Sequence, residues 1–186
     1  MSLILASGSP RRRELMALIT RDYRVVASDV DESRIRADSP AHLAQALATA
    51  KARAVAQEYP DDVVIGCDTV VDCDGEVFGK PRDEEDALRM LRALSGRTHR
   101  VHTGICVCRG TEAAATVETT AVQFAAIPED ELLAYVRTPE PYDKAGAYAI
   151  QGRAAVWCSG IAGCYYNIMG LPVHRLAQLL RQFGAL

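Results

Sequence analysis

No apolar stretch in the sequence is long enough to cross a bilayer, which argues against a helical membrane span. No C-x-x-C pair is present. The six cysteines (Cys67, Cys73, Cys106, Cys108, Cys158 and Cys164) have spacings that suit neither a zinc site nor a dense disulfide scaffold. Reduced thiols in a cytoplasmic protein are the expectation. Charge of one sign is also scarce. Lys plus Arg number 21 and Asp plus Glu 24, a formal charge of −3, so neither nucleic acid nor a membrane surface is expected as a partner. No repeat, low-complexity tract or obvious linker interrupts the chain, and no charged leader precedes the first strand-like segment. The histidines (His42, His99, His102, His174) stand apart from acidic and cysteine clusters, and none is assigned a metal or catalytic role.

What is present is an ordinary globular composition, 49% apolar and 24% charged over 186 residues. This length favours one domain, residues 1–186, with a core of its own. Strands are predicted over Leu3–Ala6, Tyr23–Ala27, Val63–Val71, Thr98–Cys108 and Ala114–Phe124. Helices are predicted over Pro10–Leu18, from Ser39-Pro40 to Glu58, from Asp83 to Leu94, over Pro128–Val136 and over Leu171–Phe183. Ser9 reads as the first helix's N-cap, and Cys73-Asp74-Gly75 as a turn into Glu76-Val77-Phe78. Ala154–Tyr166 reads as a hairpin turning at Ser159-Gly160. Strands and helices mix irregularly, so the fold class is α/β with a mixed central sheet flanked by helices.

Several residues do not suit their local pattern. Arg11, Arg12 and Arg13 crowd the first turn of a helix, the end where cations are disfavoured by about 0.3–1 kcal/mol each. A strand, a Ser7-Gly8-Ser9 turn and a helix N-terminus form an anion cradle, and arginines belong there if a multiply charged anion binds. The alternative is a solvated basic patch. Asp68 interrupts Val64-Ile65-Gly66-Cys67-Asp68-Thr69-Val70-Val71, a run suited to a sheet interior. An unpaired carboxylate there costs several kcal/mol, so it needs a cation, a metal or the strand's open end. The alternative is a structural ion pair. Lys51 falls in the apolar i, i+4 row Leu43, Leu47, Lys51, Val55, unless it merely snorkels at the row's edge. Lys80 sits in Gly79-Lys80-Pro81, where a plain surface loop is the default reading. Gly75 to Pro81 looks superficially like a P-loop but is one residue short, with Pro81 where Ser or Thr should hold magnesium. Asp72 and Asp74 suit ordinary turn chemistry, and Trp157 suits core or rim packing. Together the arginines, lysines and Asp68 are equipment for a polyphosphate with a divalent cation.

An ordered set of motifs then carries a resemblance over nearly the full length. It comprises Ser7-Gly8-Ser9-Pro10-Arg11-Arg12, Lys51-Ala52-Arg53-Ala54, Gly66-Cys67-Asp68-Thr69-Val70-Val71, Gly79-Lys80-Pro81, Leu94-Ser95-Gly96 and His102-Thr103-Gly104. Glu140-Pro141-Tyr142-Asp143-Lys144-Ala145-Gly146-Ala147-Tyr148, Ile150-Gln151-Gly152 and Met169-Gly170-Leu171-Pro172 complete it. The chain resembles the Maf family of nucleoside triphosphate pyrophosphatases. Arg11, Thr69 and Gln151 follow its dTTP/UTP branch, whereas the branch acting on 7-methyl-GTP has Trp, Gln and Glu there. Cys67, Cys164 and Ala46 depart from the usual pattern, and Cys164 is expected to bear on the rim of the base pocket.

The resemblance implies two lobes with an active-site cleft between them, as in the Maf/ITPase-like folds, dependence on magnesium or manganese, a homodimer and a nucleoside triphosphate substrate. Asp68 is the expected general base and a metal ligand, with Glu32 as a second ligand. Arg12, Lys51 and Lys80, with Ser7 and its neighbouring N–H groups, are expected to hold phosphates. Arg11, Thr69 and Gln151 are expected to read the base; a glutamine amide, with a donor and an acceptor, suits a uracil or thymine edge. Asp143 and Lys144 either bind metal or phosphate or pair with each other. The alternatives are a pyrophosphatase for other modified nucleotides and a nucleotide-binding regulator of cell division without catalysis.

Overall fold

In a computed structural model describing residues 2–186, strand β1 (Leu3–Leu5) leads through the Ser7-Gly8-Ser9 loop into helix α1 (Pro10–Met16) and a short strand β2 (Arg24–Val25). Helix α2 (Pro40–Glu58) is followed by the long strand β3 (Val63–Cys73), which turns at Asp74-Gly75 into β4 (Glu76–Phe78). Helix α3 (Glu84–Leu94) precedes the hairpin β5 (Thr98–Arg109) and β6 (Glu112–Phe124), then helix α4 (Glu129–Val136). After 3-10 turns between Glu140 and Trp157 come β7 (Cys158–Ala162), α5 (Tyr165–Met169) and α6 (Val173–Gln182). The strands form one mixed sheet in the order β2-β1-β3-β5-β6-β7, with β4 beside β3. Among the described residues, only the pairings of β1 with β2 and with β3 are parallel.

Local chemistry sets the helix starts. Ser39 accepts a hydrogen bond from the His42 N–H and caps α2, and Asp83 does the same for α3 through Asp86. Ser9 holds the N-cap position of α1 without a side-chain cap; its own N–H donates to Ser7 Oγ instead. The expected hairpin over Ala154–Tyr166 is not formed. Arg153–Trp157 is a 3-10 turn, Cys158–Ala162 is a single edge strand on β6, and Tyr165–Met169 is helical. Gly160, read as a turn, lies in β7 opposite Gln123. The chain reverses at Gly163, whose φ of +129° is a conformation that side-chain-bearing residues rarely adopt.

Two glycines bring α2 down onto the sheet. A Cβ at Gly66 would stand 2.1 Å from the Ala48 carbonyl oxygen, and one at Gly104 would stand 2.2 Å from that of Ala44. Ala44, Ala48 and Ala52 supply the matching smooth helix face. The core falls into parts on either side of a gap in the middle of β3. Val63, Ile65 and Cys67 pack with β1, α1 and α6, whereas Val71 and Cys73 pack with α3, α4 and the 3-10 segment around Ala147. Asp68, Thr69 and Val70 lie between the two.

Candidate functional site

That gap is the mouth of a cleft of about 760 Å³. It opens because β1 ends at Leu5, opposite Ile65, while β3 runs on to Cys73. One edge of β3 therefore faces a crevice beyond the carboxyl end of its parallel neighbour, the usual ligand position in α/β sheets. Ser7, Arg11, Arg12, Glu32, Lys51, Asp68, Thr69, Lys80 and Gln151, the residues singled out from the sequence, all line it.

Asp68 is the centre of the floor and is largely buried. Its Oδ1 lies 2.5 Å from Lys51 Nζ, and the same ammonium is 2.8 Å from Glu32 Oε1. The lysine that looked out of place in the α2 stripe is thus the cation that the buried strand carboxylate requires. Burial on its own would lower the Lys51 pKa, but Asp68, helped by Glu32, outweighs it and holds the group above its ordinary 10.5. An ion pair explains how Asp68 is tolerated, and its place on the cleft wall leaves it facing ligand as well.

The three arginines separate. Arg11 crosses to Asp143, with Nη1 2.7 Å from Oδ2 and Nη2 donating to the Asp143 carbonyl. Arg13 folds back onto the Gly8 carbonyl. Arg12 turns inward, donating from Nε to the Gly170 carbonyl at 2.9 Å, from Nη1 to Ser7 Oγ at 3.2 Å and from Nη2 to Thr69 Oγ1 at 3.2 Å. These contacts use three of its five N–H groups and leave two for a ligand. Cys67 Sγ donates to the same Gly170 carbonyl, and burial pushes its thiol up to about 11, which makes it an inert packing residue.

On the opposite wall, Asp143 and Lys144 do pair, at 2.5 Å, and Lys144 also donates to the Glu140 carbonyl. Burial would raise the Asp143 carboxyl, yet Lys144 and Arg11 outweigh it and hold it below the usual carboxylate range. Gly146 donates to the Gly79 carbonyl and so ties this wall to the Lys80 loop. Lys80 and Gln151 line the cleft and make no hydrogen bond or ion pair among the described residues.

Other expectations are corrected. His102 does not stand apart from acids: its Nε2 is 3.4 Å from the Asp72 carboxylate, and its Nδ1 is 2.8 Å from Thr119 Oγ1. Asp72 still serves the turn, accepting from the Gly75 N–H. His42 lies 2.5 Å from Asp38, one helical turn before it. Cys164 is not on the cleft rim; its backbone is held by Thr120. Ala46 lies in a shallow depression on the outer face of α2. Sequence reasoning missed Thr103 and Asn167, which back Thr69, and Gly170, which anchors Arg12. The His102-Thr103-Gly104 and Met169-Gly170-Leu171-Pro172 motifs were the available signals for Thr103 and Gly170.

Among the described residues no group of three or more His, Cys, Asp or Glu side chains forms a metal cage. Glu32 and Asp68 nevertheless share one ammonium, so two carboxylates converge on the cleft floor. Magnesium and manganese are commonly held by one or two carboxylates with phosphate oxygens and water completing the shell, and this pair fits that donor set.

Comparison with known proteins agrees with this picture. The family described as "Maf-like protein" matches residues 2–183. The dTTP/UTP pyrophosphatase of Symbiobacterium thermophilum is 52% identical over 182 residues, covering 98% of this chain and 94% of that one. The dTTP/UTP pyrophosphatase of Koribacter versatilis is 48% identical, covering 100% and 96%. Among solved structures, the Staphylococcus aureus Ham1 protein superposes with a TM-score of 0.59 at 16% identity, covering 98% of this chain and 100% of that one. A HAM1 protein from Coxiella burnetii gives 0.56 at 14%, covering 97% and 98%. The two structures establish the mixed α/β fold, and the matched family model and the closer sequences establish that this chain is a member of the Maf family.

Proposed function

We propose that this chain hydrolyses dTTP and UTP between the α and β phosphates, giving the nucleoside monophosphate and pyrophosphate. The observation that carries the reading is Asp68, a carboxylate kept in a strand interior by Lys51 and turned into a cleft rimmed by Arg12 and Lys80. A module that only bound a nucleotide would have little use for a carboxylate beside a polyanion. Near relatives named dTTP/UTP pyrophosphatase support the substrate class.

In this reading Asp68 accepts a proton from water as the water oxygen attacks the α-phosphorus. The bond from that phosphorus to the bridging oxygen breaks, and pyrophosphate leaves. Lys51, Lys80 and the free N–H groups of Arg12 hold the phosphates and balance charge that builds on the leaving group. Ser7 and the adjoining backbone complete the cradle. Arg11, Thr69 and Gln151 contact the base. Glu32 and Asp68 would hold magnesium or manganese, which supplies charge neutralisation at the phosphates.

A homodimer and a cytoplasmic location belong to the same proposal. Six free cysteines and the lack of any helix long and apolar enough to cross a membrane, among the described residues, agree with the location. The test is pyrophosphate release across a nucleotide panel with magnesium or manganese. Preferred turnover of UTP and dTTP is expected. Preference for 7-methyl-GTP, or no release from any nucleotide, would contradict it.

A further inference from the structure

Lys51 Nζ lies 2.5 Å from Asp68 Oδ1 and 2.8 Å from Glu32 Oε1. Two carboxylate oxygens from different elements, β3 and the turn Glu32–Arg34, thus converge on one point, and a cation of the protein itself stands there. Because Oδ1 and Oε1 are the oxygens that converge, a divalent ion shared by Glu32 and Asp68 belongs where the ammonium is. An ion about 2.1 Å from both oxygens would overlap an ammonium in contact with both. Charge points the same way. The two carboxylates carry two negative charges and the ammonium cancels one. A divalent ion therefore meets a weaker attraction and, beside it, a like charge.

The ammonium is held without being fixed. Leu43, Leu47 and Lys51 line the cleft together, so the four-carbon stem of Lys51 runs along its wall and has room to turn there. Arg12 and Lys80 line the same cleft, and phosphates gathered by them offer the ammonium a second anion within it. A metal ion that arrives alone brings no anion to receive the ammonium. One that arrives with a polyphosphate does.

We infer that Lys51 is a resident stand-in for the divalent cation: its ammonium bridges Glu32 and Asp68 and shuts out free metal until a polyphosphate draws it off. Metal and nucleotide then bind cooperatively, each tightening the other by the same factor. The inference rests on the reading of Glu32 and Asp68 as the metal-holding pair and of Lys51 as a phosphate contact. It orders those two roles, since Lys51 cannot both bridge the carboxylates and leave them to a metal ion.

The probe is manganese ion alone, without nucleotide, followed by calorimetric titration and by thermal melting of the full chain. Wild type is expected to bind it with a Kd weaker than about 1 mM and to gain about 1 °C or less in Tm at about 1 mM metal. Lys51→Met should bind it about tenfold more tightly or better and gain about 4 °C, because the metal ion replaces the lost counter-charge. Lys80→Met removes the same charge from the same cleft without freeing a carboxylate, and its affinity should change by less than about threefold. Adding Glu32→Gln to Lys51→Met should abolish the gain. The inference is overturned by a micromolar Kd in wild type or by a Lys51→Met protein that binds no more tightly. An equal gain in Lys80→Met would assign the effect to net charge, and a gain that survives Glu32→Gln would put the ion elsewhere; either overturns it. Should Lys51→Met fail to fold, Lys51→Gln, which leaves a neutral donor beside Asp68, must show the same gain, and unchanged affinity there overturns it too. Pyrophosphate release by wild type is read separately. If it occurs while these metal titrations fail, this inference alone falls; if no nucleotide releases pyrophosphate, the proposed function itself fails.

Discussion

Lys51 Nζ lies 2.5 Å from Asp68 Oδ1, so the ammonium of α2 and the carboxylate of β3 act as one unit on the cleft floor. Both side chains are largely buried, at 13% and 11% exposure. Removing one partner of such a pair leaves the other uncompensated, at a cost of about 3 kcal/mol. Lys51→Met should therefore lower the unfolding free energy read from urea titration by an amount of that order, shifting the midpoint down accordingly, and also abolish turnover. An unchanged midpoint would mean that the pair does not hold α2 to the sheet. Because the folded pKa of Lys51 is raised above 10.5, its contribution is complete below that pH. It is lost only as pH rises through the higher folded value.

Gly66 sets the distance over which that pair forms. A methyl group there would meet backbone, the Ala48 carbonyl oxygen at 2.1 Å, and backbone cannot swing aside as a side chain end can. Gly66→Ala should push α2 outward, cost about 2 kcal/mol or more in a thermal or urea melt, and depress activity by separating Lys51 from Asp68. Full activity with a native melting profile would show that the close approach is unnecessary.

His99 sits among Phe124, Tyr148 and the sheet, with Nε2 2.7 Å from Tyr148 Oη and Nδ1 unpartnered. Burial lowers its pKa from 6.5 to about 4. The unfolded chain takes up its proton first as pH falls, so stability is intact above 6.5 and declines from there toward 4. At about 1.4 kcal/mol per pH unit, the loss by pH 5 is about 2 kcal/mol. Urea titrations at pH 7 and pH 5 should show wild type losing this much relative to His99→Gln. Parallel losses in both proteins would assign the acid sensitivity elsewhere.

The parts of this site that were legible in the sequence broke a local rule. Asp68 in a β-branched run and Lys51 in an apolar helical row each violate the pattern around them, and a charge in such a place signals a partner. That they are each other's partner was not legible, because it depends on Gly66 and Gly104 admitting α2 to the sheet. Thr69, Thr103 and Asn167 break no rule, and only strand register and the position of α5 make them a relay. His102 and Asp72 likewise meet diagonally across β3 and β5, which requires the register. The false hairpin over Ala154–Tyr166 arose because Gly160 and Gly163 look alike in sequence, while only Gly163 adopts the left-handed backbone that reverses the chain.

The most direct measurement of the central claim is pyrophosphate release from UTP, with magnesium, by the wild-type protein and by Asp68→Asn. The substitution keeps the shape of the side chain and removes its ability to take a proton, so turnover should fall by about 100-fold or more while the melting profile stays cooperative. Near-normal turnover by a folded Asp68→Asn protein would contradict the assignment of Asp68 as the base and, with it, this account of the cleft.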